Sequence, residues 1–183
     1  MVEISFHGRG GQGAVVASQI LAKAFFVMGL YPQCFALFGG ERRGAPVASF
    51  LRVDSRQIFL KCEIKRPDHI IHMAPDLIDE SEIARILKPG GLILINNSLS
   101  SSSYSSLRQF RLAFVDANGI AEEAGLGGAI NTAVLGAYAK VNGTIPYHCL
   151  ERAIEENVPA KIHENLAAAR RAYEVTEVFQ EAE

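Results

Sequence analysis

The sequence predicts an α/β protein, built as a three-layer, Rossmann-like open sheet that is mostly parallel, with a β-hairpin insertion and a helical C-terminal portion. Three observations support this prediction. The chain begins with an apolar run, a glycine-rich turn and a helix-like run, which is the order of a Rossmann-like first unit. Short apolar runs then alternate with helix-like segments, and amphipathic helical segments follow residue 142. We therefore expect one domain over residues 1–183, with an α/β core at 1–142 and a helical tail at 143–183 packed on it.

The composition is that of a soluble globular protein. Of the 183 residues, 49% are hydrophobic and 21% are charged. The 18 basic and 20 acidic side chains give a net charge of −2, so nucleic acid is not an expected partner. The sequence shows no secretory signal and no apolar run long enough to span a bilayer. We therefore expect a cytoplasmic chain without a membrane partner.

The first part of the chain is predicted to contain four strands and one helix. In order, the patterns predict strand 2–6, helix 14–24, strand 33–38, a polar glycine-rich loop at 39–46, strand 47–53 and strand 57–60. A short turn at 54–56 would let the last two strands pair as a hairpin. A strictly alternating β–α fold would have a helix here, so we interpret the hairpin as an insertion.

The alternation of strands and helices is predicted to resume after this insertion. The patterns predict, in order, strand 68–73, helix 75–87, strand 92–96, strand 111–116, and helices 117–124, 131–141, 146–156 and 160 to about 179. Residues 92–96 form a near-continuous apolar run, which is typical of a strand buried on both faces. The serine-dense stretch 98–106 has no periodicity and predicts a surface loop.

The glycine-rich turn has the spacing of a nucleotide-binding loop. Gly8, Gly10 and Gly13 match G-x-G-x-x-G, in which glycines allow a tight turn and a close approach of backbone N–H groups to a ligand. The start of the following helix favours an anion such as a phosphate. A P-loop is excluded because Gly13 is followed by Ala14 and Val15 instead of Lys and Ser or Thr.

The second predicted strand does not support binding of NAD. An NAD site needs an Asp or Glu at the tip of that strand, where this chain has Phe38 followed by two glycines. Glu41 comes later, in a loop beside Arg42 and Arg43, and these arginines could meet the 2′-phosphate of NADP. A stand-alone NADP- or anion-binding Rossmann-like module therefore remains an alternative interpretation.

The sequence offers neither catalytic residues nor a metal site. It has no nucleophile elbow and no H-E-x-x-H motif. The three cysteines, at positions 34, 62 and 149, form no C-x-x-C pair, so this chain alone is not expected to hold an iron–sulfur cluster or zinc. His69 and His72 lie three residues apart in a predicted strand and should point to opposite faces, which argues against a shared metal. His7, where the first strand meets the turn, could point into a site or make a structural hydrogen bond.

Two glycine–arginine motifs give the chain a specific resemblance. The first is Gly8-Arg9-Gly10-Gly11-Gln12-Gly13, and the second is Phe38-Gly39-Gly40-Glu41-Arg42-Arg43-Gly44-Ala45-Pro46-Val47. In this order they resemble the gamma subunits of pyruvate/2-ketoisovalerate ferredoxin oxidoreductases. The similarity covers nearly the whole chain, because it continues through Asn131-Thr132-Ala133-Val134-Leu135-Gly136-Ala137 and from Lys161 to Asn165 and Ala168.

The resemblance implies a subunit of a thiamine-diphosphate-dependent enzyme. Enzymes of this family oxidatively decarboxylate a 2-oxoacid, pass electrons through iron–sulfur clusters to ferredoxin and transfer the acyl group to coenzyme A. The resemblance therefore implies thiamine diphosphate, Mg, iron–sulfur clusters and coenzyme A in the complex, mostly on alpha, beta and delta partner subunits, with ferredoxin as an indirect partner. It implies no cofactor bound by this chain alone, and we expect the isolated chain to be inactive. The form Glu41-Arg42-Arg43-Gly44-Ala45-Pro46 points to the pyruvate/ketoisovalerate branch.

Both motifs should meet at one edge of the sheet, because both follow the carboxyl ends of strands. We expect this edge to bind a cofactor, without a catalytic residue, through Gly8, Arg9, Gly10, Gly11, Gln12, Gly13, Glu41, Arg42, Arg43, Gly44 and Asn131. Arg9, Arg42 and Arg43 would form a positive rim beside the glycine N–H groups. Two roles remain open for this rim: binding the phosphates of coenzyme A, or pairing with an acidic surface of a partner subunit.

Overall fold

The computed structural model describes residues 1–38, 44–97 and 104–179, in which seven strands form one open sheet with helices on its faces. The strands are β1 Val2–Arg9, β2 Tyr31–Phe38, β3 Pro46–Asp54, β4 His69–His72, β5 Leu92–Asn96, β6 Arg111–Val115 and β7 Glu177–Phe179. The helices are α1 Ala14–Val27, α2 Glu80–Ile86, α3 Ala117–Glu123, α4 Asn131–Asn142, α5 Tyr147–Asn157 and α6 Ile162–Val175. None of these helices is long and apolar enough to cross a bilayer. The predicted α/β fold class is confirmed.

The sheet is mixed, with its parallel ladders in the centre. The strand order is β2-β3-β1-β4-β5-β6-β7. β1 pairs in parallel with β4, β4 with β5 and β5 with β6, whereas β3 is antiparallel to β1 and β2, and β7 is antiparallel to β6. Within the described part of the chain, five of the seven strands (all except β3 and β7) therefore run in one direction.

The predicted hairpin between residues 47–53 and 57–60 is wrong. β3 pairs along one edge with β1, from Pro46 to Val53, and along its other edge with β2, from Val47 to Asp54. No edge of β3 is left for residues 57–60, which form no strand. The antiparallel pair in this region is instead β2 with β3, so the second glycine–arginine motif lies between two paired strands.

Two predicted helices are shorter in the structure. The helix expected at 75–87 is split into a 3-10 turn, Pro75–Leu77, and α2, because Asp79 is extended and its side chain caps α2 by accepting bonds from two backbone N–H groups. The helix expected at 160–179 ends at Val175, where the extended Thr176 turns the chain so that β7 can pair with β6. The C-terminal portion is therefore not purely helical, since it also supplies an edge strand.

Helices cover the two faces of the sheet unequally. On one face, α1 and the helices from α3 to α6 pack over buried side chains such as Ile4, Phe6 and Leu51. On the other face, α2 and a short 3-10 helix, Ser105–Leu107, pack over the half formed by β4, β5 and β6. The half formed by β1, β2 and β3 carries less helical cover, and Leu37 on β2 stays 46% exposed.

The tightest helix contact joins α4 to α6. Gly136 lies so close to α6 that an added Cβ would stand 2.0 Å from the carbonyl oxygen of Ala169. At the start of α4, the buried Thr132 hydroxyl donates to Asn165 Oδ1 at 2.9 Å, and Asn165 Nδ2 donates to the Lys161 carbonyl at 2.8 Å. The C-terminal helix is thus fixed to the helix that begins beside the glycine-rich turn.

Candidate functional site

The glycine-rich turn connects β1 to α1 and is held in shape by one side chain. Gly11 and Gly13 have φ values of 101° and 80°, a region that L side chains rarely adopt. Gln12 braces the turn, because its Oε1 accepts from the Arg9 N–H at 2.7 Å and its Nε2 donates to the Met73 carbonyl at 3.3 Å. The turn is therefore fixed both to itself and to the end of the neighbouring strand.

The two glycine–arginine motifs meet at this turn. The Gly10 N–H donates to the Ala45 carbonyl at 2.9 Å, and the Gly44 N–H donates to the Gly10 carbonyl at 3.1 Å. The expectation that both loops share one edge of the sheet is confirmed for Gly44 and Ala45. Residues 39–43, with the predicted site residues Glu41, Arg42 and Arg43, lie outside the described residues.

Arg9 ties the two loops together and is not a free cation. Its Nη1 donates to the Gly44 carbonyl at 2.8 Å, while its Nε and Nη2 bind Asp76 Oδ2. This ion pair lowers the pKa of the Asp76 carboxyl and raises that of the Arg9 guanidinium. The expected positive rim of Arg9, Arg42 and Arg43 stays a prediction, in which Arg9 is already paired with Asp76 within the chain.

Asn131 lies beside the glycine-rich turn. A Cβ added to Gly13 would be 3.1 Å from Asn131 Nδ2, so the starts of α1 and α4 are in contact. Neither helix has a side-chain cap, and neither has an acidic residue in its first turn. We call this region, formed by residues 8–13 with Gly44, Ala45 and Asn131, the carboxyl edge.

Several backbone N–H groups at the carboxyl edge have no acceptor among the described residues. Those of Gly10 and Gln12 are bonded within the chain, whereas those of Gly11, Gly13 and Ala14 are not. A helix start places its unpaired N–H groups and a partial positive charge toward the same point. The arrangement can therefore take an anionic group at the start of α1, next to the start of α4.

A pair of histidines, not assigned to a site from the sequence, lies next to the carboxyl edge on β1 and β4. The rings of His7 and His72 stack with centroids 5.5 Å apart and an interplanar angle of 17°, and His7 Nε2 lies 3.0 Å from Ser5 Oγ. His72 is only 4% exposed, and its Nδ1 has no hydrogen-bond partner among the described residues. Burial lowers the pKa of His7. Burial is also the main cause that lowers the pKa of His72 to about 3, and the electrostatic effect of the neighbouring His7 is the next largest. Both imidazoles are therefore neutral at physiological pH.

These histidines line a pocket of about 380 Å³, which we call the histidine pocket. Its other walls include Gly8, Leu37, Ala48 and Leu77. The sequence contained one signal for this pair, because both histidines lie near the carboxyl ends of predicted parallel strands. It did not show that the two strands would be neighbours with His7 and His72 in register.

His69 points to the opposite face from His72, as the strand period predicted. Its Nδ1 lies 2.6 Å from the Tyr138 hydroxyl of α4, and burial lowers its pKa to about 4. The described residues contain no group of three or more side chains able to hold a metal ion. The three free cysteines are half-buried, exposed and buried in turn, and they belong to no such group.

Comparison with known proteins identifies the family. Residues 3–175 match the family model for pyruvate ferredoxin/flavodoxin oxidoreductase. The chain is 44% identical to the common subunit gamma of pyruvate/ketoisovalerate oxidoreductases from Pyrococcus furiosus, over 98% of this chain and 100% of the relative. It is 42% identical to pyruvate synthase subunit PorC from Methanothermobacter thermautotrophicus, over 97% of both chains. The crystal structure of pyruvate oxidoreductase subunit PORC from Thermotoga maritima superposes with a TM-score of 0.84, at 31% identity over 98% of both chains. The chain therefore belongs to the pyruvate ferredoxin/flavodoxin oxidoreductase family, as a member of its gamma-subunit type.

Proposed function

We propose that this chain is the gamma subunit of a thiamine-diphosphate-dependent 2-oxoacid:ferredoxin oxidoreductase that converts pyruvate or 2-ketoisovalerate to the corresponding acyl-coenzyme A. Its end-to-end relatives are named as subunits of pyruvate synthase and of pyruvate/ketoisovalerate oxidoreductases, which supports this assignment. The chain completes an assembly with alpha, beta and delta subunits and helps to bind coenzyme A through its carboxyl edge.

The division of chemistry among subunits follows from the side chains that this chain offers. Its described residues provide no metal-binding cluster, and its cysteines do not fit an iron–sulfur site. Thiamine diphosphate with Mg, which supplies the decarboxylation chemistry when bound, and the clusters that carry electrons to ferredoxin are therefore assigned to partner subunits. What remains for this chain is binding, positioning and assembly.

One observation carries the coenzyme A role: the starts of α1 and α4 meet without an acidic residue or a side-chain cap. Each helix start carries the equivalent of about half a positive charge, and the two are adjacent. The N–H groups of Gly11, Gly13 and Ala14, at the start of α1, have no acceptor among the described residues. Phosphate groups are the anions that such a site favours.

A second observation supports an additional role in assembly. Arg9 binds both Asp76 and the Gly44 carbonyl, so it links the second loop to the first. A loop held in this way can present its remaining residues, Arg42 and Arg43, to a neighbouring molecule. These two arginines would serve either the phosphates of coenzyme A or an acidic surface of a partner subunit.

The coenzyme A role can be tested at Val16, which lies in the first turn of α1 and is 39% exposed. Val16→Glu places a negative charge where we expect phosphate, so it should weaken coenzyme A binding to the assembled complex by about three- to tenfold. The same change should not destabilise the subunit, because an acidic residue in the first turn normally favours a helix. Val16→Gln is the matched neutral control, and calorimetric titration of the purified complex gives the affinities. Equal affinities for all three forms would remove the helix starts from the coenzyme A site.

The same titration separates the two roles of the second loop. Arg42→Ala and Arg43→Ala complexes that assemble normally but bind coenzyme A more weakly would assign these arginines to the ligand. Unchanged affinity in a complex that dissociates more readily would assign them to subunit docking. NADPH binding by the isolated chain, measured by fluorescence, would contradict the proposal as a whole and favour a stand-alone Rossmann-like module.

A further inference from the structure

We infer that two copies of this chain pair through the outer edge of β2, so that their sheets join in the antiparallel direction about a twofold axis at Cys34. The interaction surface consists of the outer edge of β2 and one side of α1, and its partner is a second copy of this chain. This pairing is independent of the proposed function, because it uses neither the glycine-rich turn nor a cofactor.

β2 is an edge strand whose outer backbone groups have no partner among the described residues. Of the seven described strands, only β3 pairs with it. The Phe35 carbonyl accepts a hydrogen bond from Ser49 Oγ of β3 at 3.2 Å, so the backbone groups of Phe35 point toward β3. Because these groups alternate in direction along a strand, those of Pro32, Cys34 and Ala36 point away from β3. Pro32 fits this direction, since it has no N–H to donate to the ladder.

β2 lacks most of the features that normally prevent an edge strand from pairing. Natural edge strands are protected by charged side chains, bulges or prolines. The 8 residues of β2 include no charged side chain, and its one proline is Pro32, near the beginning of the strand. Tyr31 and Leu37, which lie on the same face of the strand, are 50% and 46% exposed. This edge therefore offers both backbone groups and apolar side chains to a partner strand.

The strand is complementary to itself in the antiparallel direction. When Cys34 lies opposite Cys34 of the second copy, these two residues exchange backbone hydrogen bonds, and the Ala36 N–H donates to the Pro32 carbonyl of the second copy. The same register places Tyr31 opposite Leu37 of the second copy. The exposed apolar side chains at the two ends of β2 therefore cover each other on both sides of the axis.

One side of α1 faces the same edge and fits this arrangement. Gln19, Lys23 and Phe26 are exposed at helical spacing, and together with Cys34 they line a groove of about 440 Å³. Ser18 Oγ lies 3.1 Å from Cys34 Sγ, so an axis at Cys34 passes beside the middle of α1. The antiparallel α1 of the second copy then brings its Gln19 opposite Lys23, so the two lysines do not face each other. Phe26, which is 62% exposed, becomes covered.

Sedimentation velocity of the purified full chain over a range of concentrations measures this association. We expect a dimer with a dissociation constant of about 10 μM or lower. Leu37→Lys places a charge in the joined edge and should weaken the dimer by about tenfold or more. Val178→Lys is the matched control, because it makes a similar change at 39% exposure on β7, the opposite edge of the sheet, and should leave the association unchanged. A chain that stays monomeric at every concentration overturns the inference.

A pair of opposite charges tests the register. The double variant Tyr31→Glu with Leu37→Lys places an acidic residue opposite a basic residue across the axis, and it should bind itself about threefold or more tightly than Leu37→Lys alone. Within one copy the two positions are about 20 Å apart along the strand, so this recovery can arise only between two copies. If the double variant recovers no affinity, the register centred on Cys34 is wrong and the inference is overturned.

Amide hydrogen exchange shows what covers the edge, and it needs no variant. In the unchanged chain, the N–H groups of Cys34 and Ala36 should exchange more slowly as the concentration rises, because they become bonded to the second copy. Fast exchange at both positions in a dimer would place the contact elsewhere and overturn the inference. Slow exchange only in the assembled complex, with a monomeric isolated chain, would assign the edge to a partner subunit and overturn it as well.

Discussion

The contact between α4 and α6 and the carboxyl edge are built in opposite ways, although both include the start of α4. Between the helices, backbone approaches backbone at Gly136, and the polar groups of Thr132 and Asn165 satisfy each other. At the carboxyl edge, N–H groups of the glycine-rich turn and the Nδ1 of His72 have no partner among the described residues.

The difference indicates that the contact between α4 and α6 stabilises the chain, whereas the carboxyl edge keeps polar groups available for binding. An unpaired buried polar group such as His72 Nδ1 costs free energy, typically about 1–3 kcal/mol, so a region that keeps one must be supported elsewhere. The packed helices provide that support, because α4 is fixed along its length by α6 and begins at Asn131, next to Gly13. A rigid helix start can then present unpaired groups in a constant position to a ligand.

The largest effect on stability is expected at the contact between α4 and α6. Gly136→Ala would place a Cβ 2.0 Å from the Ala169 carbonyl oxygen, which forces α4 and α6 apart. We expect the free energy of unfolding of the full chain to fall by about 3 kcal/mol or more, as measured by urea denaturation. Gly128→Ala is the control, since its Cβ would meet no atom within 4 Å, and it should change stability by less than about 0.5 kcal/mol. A similar stability for both variants would contradict the close approach of the helices.

Acid should destabilise both regions through buried histidines. His69 on the packed side and His72 at the edge have pKa values lowered by burial to about 4 and about 3 from the ordinary 6.5. The unfolded chain binds protons more readily than the folded chain below pH 6.5, so stability is complete above that pH and falls as the pH decreases toward 4. For His69 alone the loss reaches roughly 3 kcal/mol.

Denaturation curves at several pH values test this prediction and separate the two regions. His69→Gln keeps a hydrogen-bonding group near Tyr138 but removes the titration, so its stability should depend less on pH than that of the unchanged chain. The dependence of stability on pH that remains in this variant comes in part from His7 and His72. A ligand that fills the histidine pocket should alter only the contribution of these two histidines. A pH-independent stability between 6.5 and 4 in the unchanged chain would contradict the neutral, buried state of these histidines.

The smallest effect on stability is expected at Asp76, which is exposed next to the carboxyl edge. Asp76→Ala removes the ion pair that orients Arg9, and surface ion pairs contribute little to global stability. We expect the unfolding midpoint to stay close to that of the unchanged chain, whereas amide hydrogen exchange at Gly44 should become faster because Arg9 no longer holds its carbonyl firmly. A large drop in the midpoint, or unchanged exchange at Gly44, would contradict the role of Arg9 as a link between the loops.

Local patterns were sufficient to predict most of the elements. The glycine-rich turn and the buried β5 followed from motifs and periodicity, whereas the contact of Asn131 with the turn came from the structure. The strand expected at 57–60 was wrong because residue patterns show that a segment can form a strand, but not whether a neighbouring edge is free. The helix expected to reach 179 was wrong for a similar reason, since β7 forms only because β6 offers it an edge.

The sequence by itself determined the family, most of the elements and the two loops that meet at the carboxyl edge, because these depend on residues adjacent in the chain. Only the tertiary structure decided that Arg9 pairs with Asp76, 67 residues away, and that His7 and His72 stack in register. The physical reason is that charge and hydrogen bonding depend on which groups meet in space. Burial on neighbouring strands makes two histidines, which the sequence did not connect with each other, the polar part of one pocket.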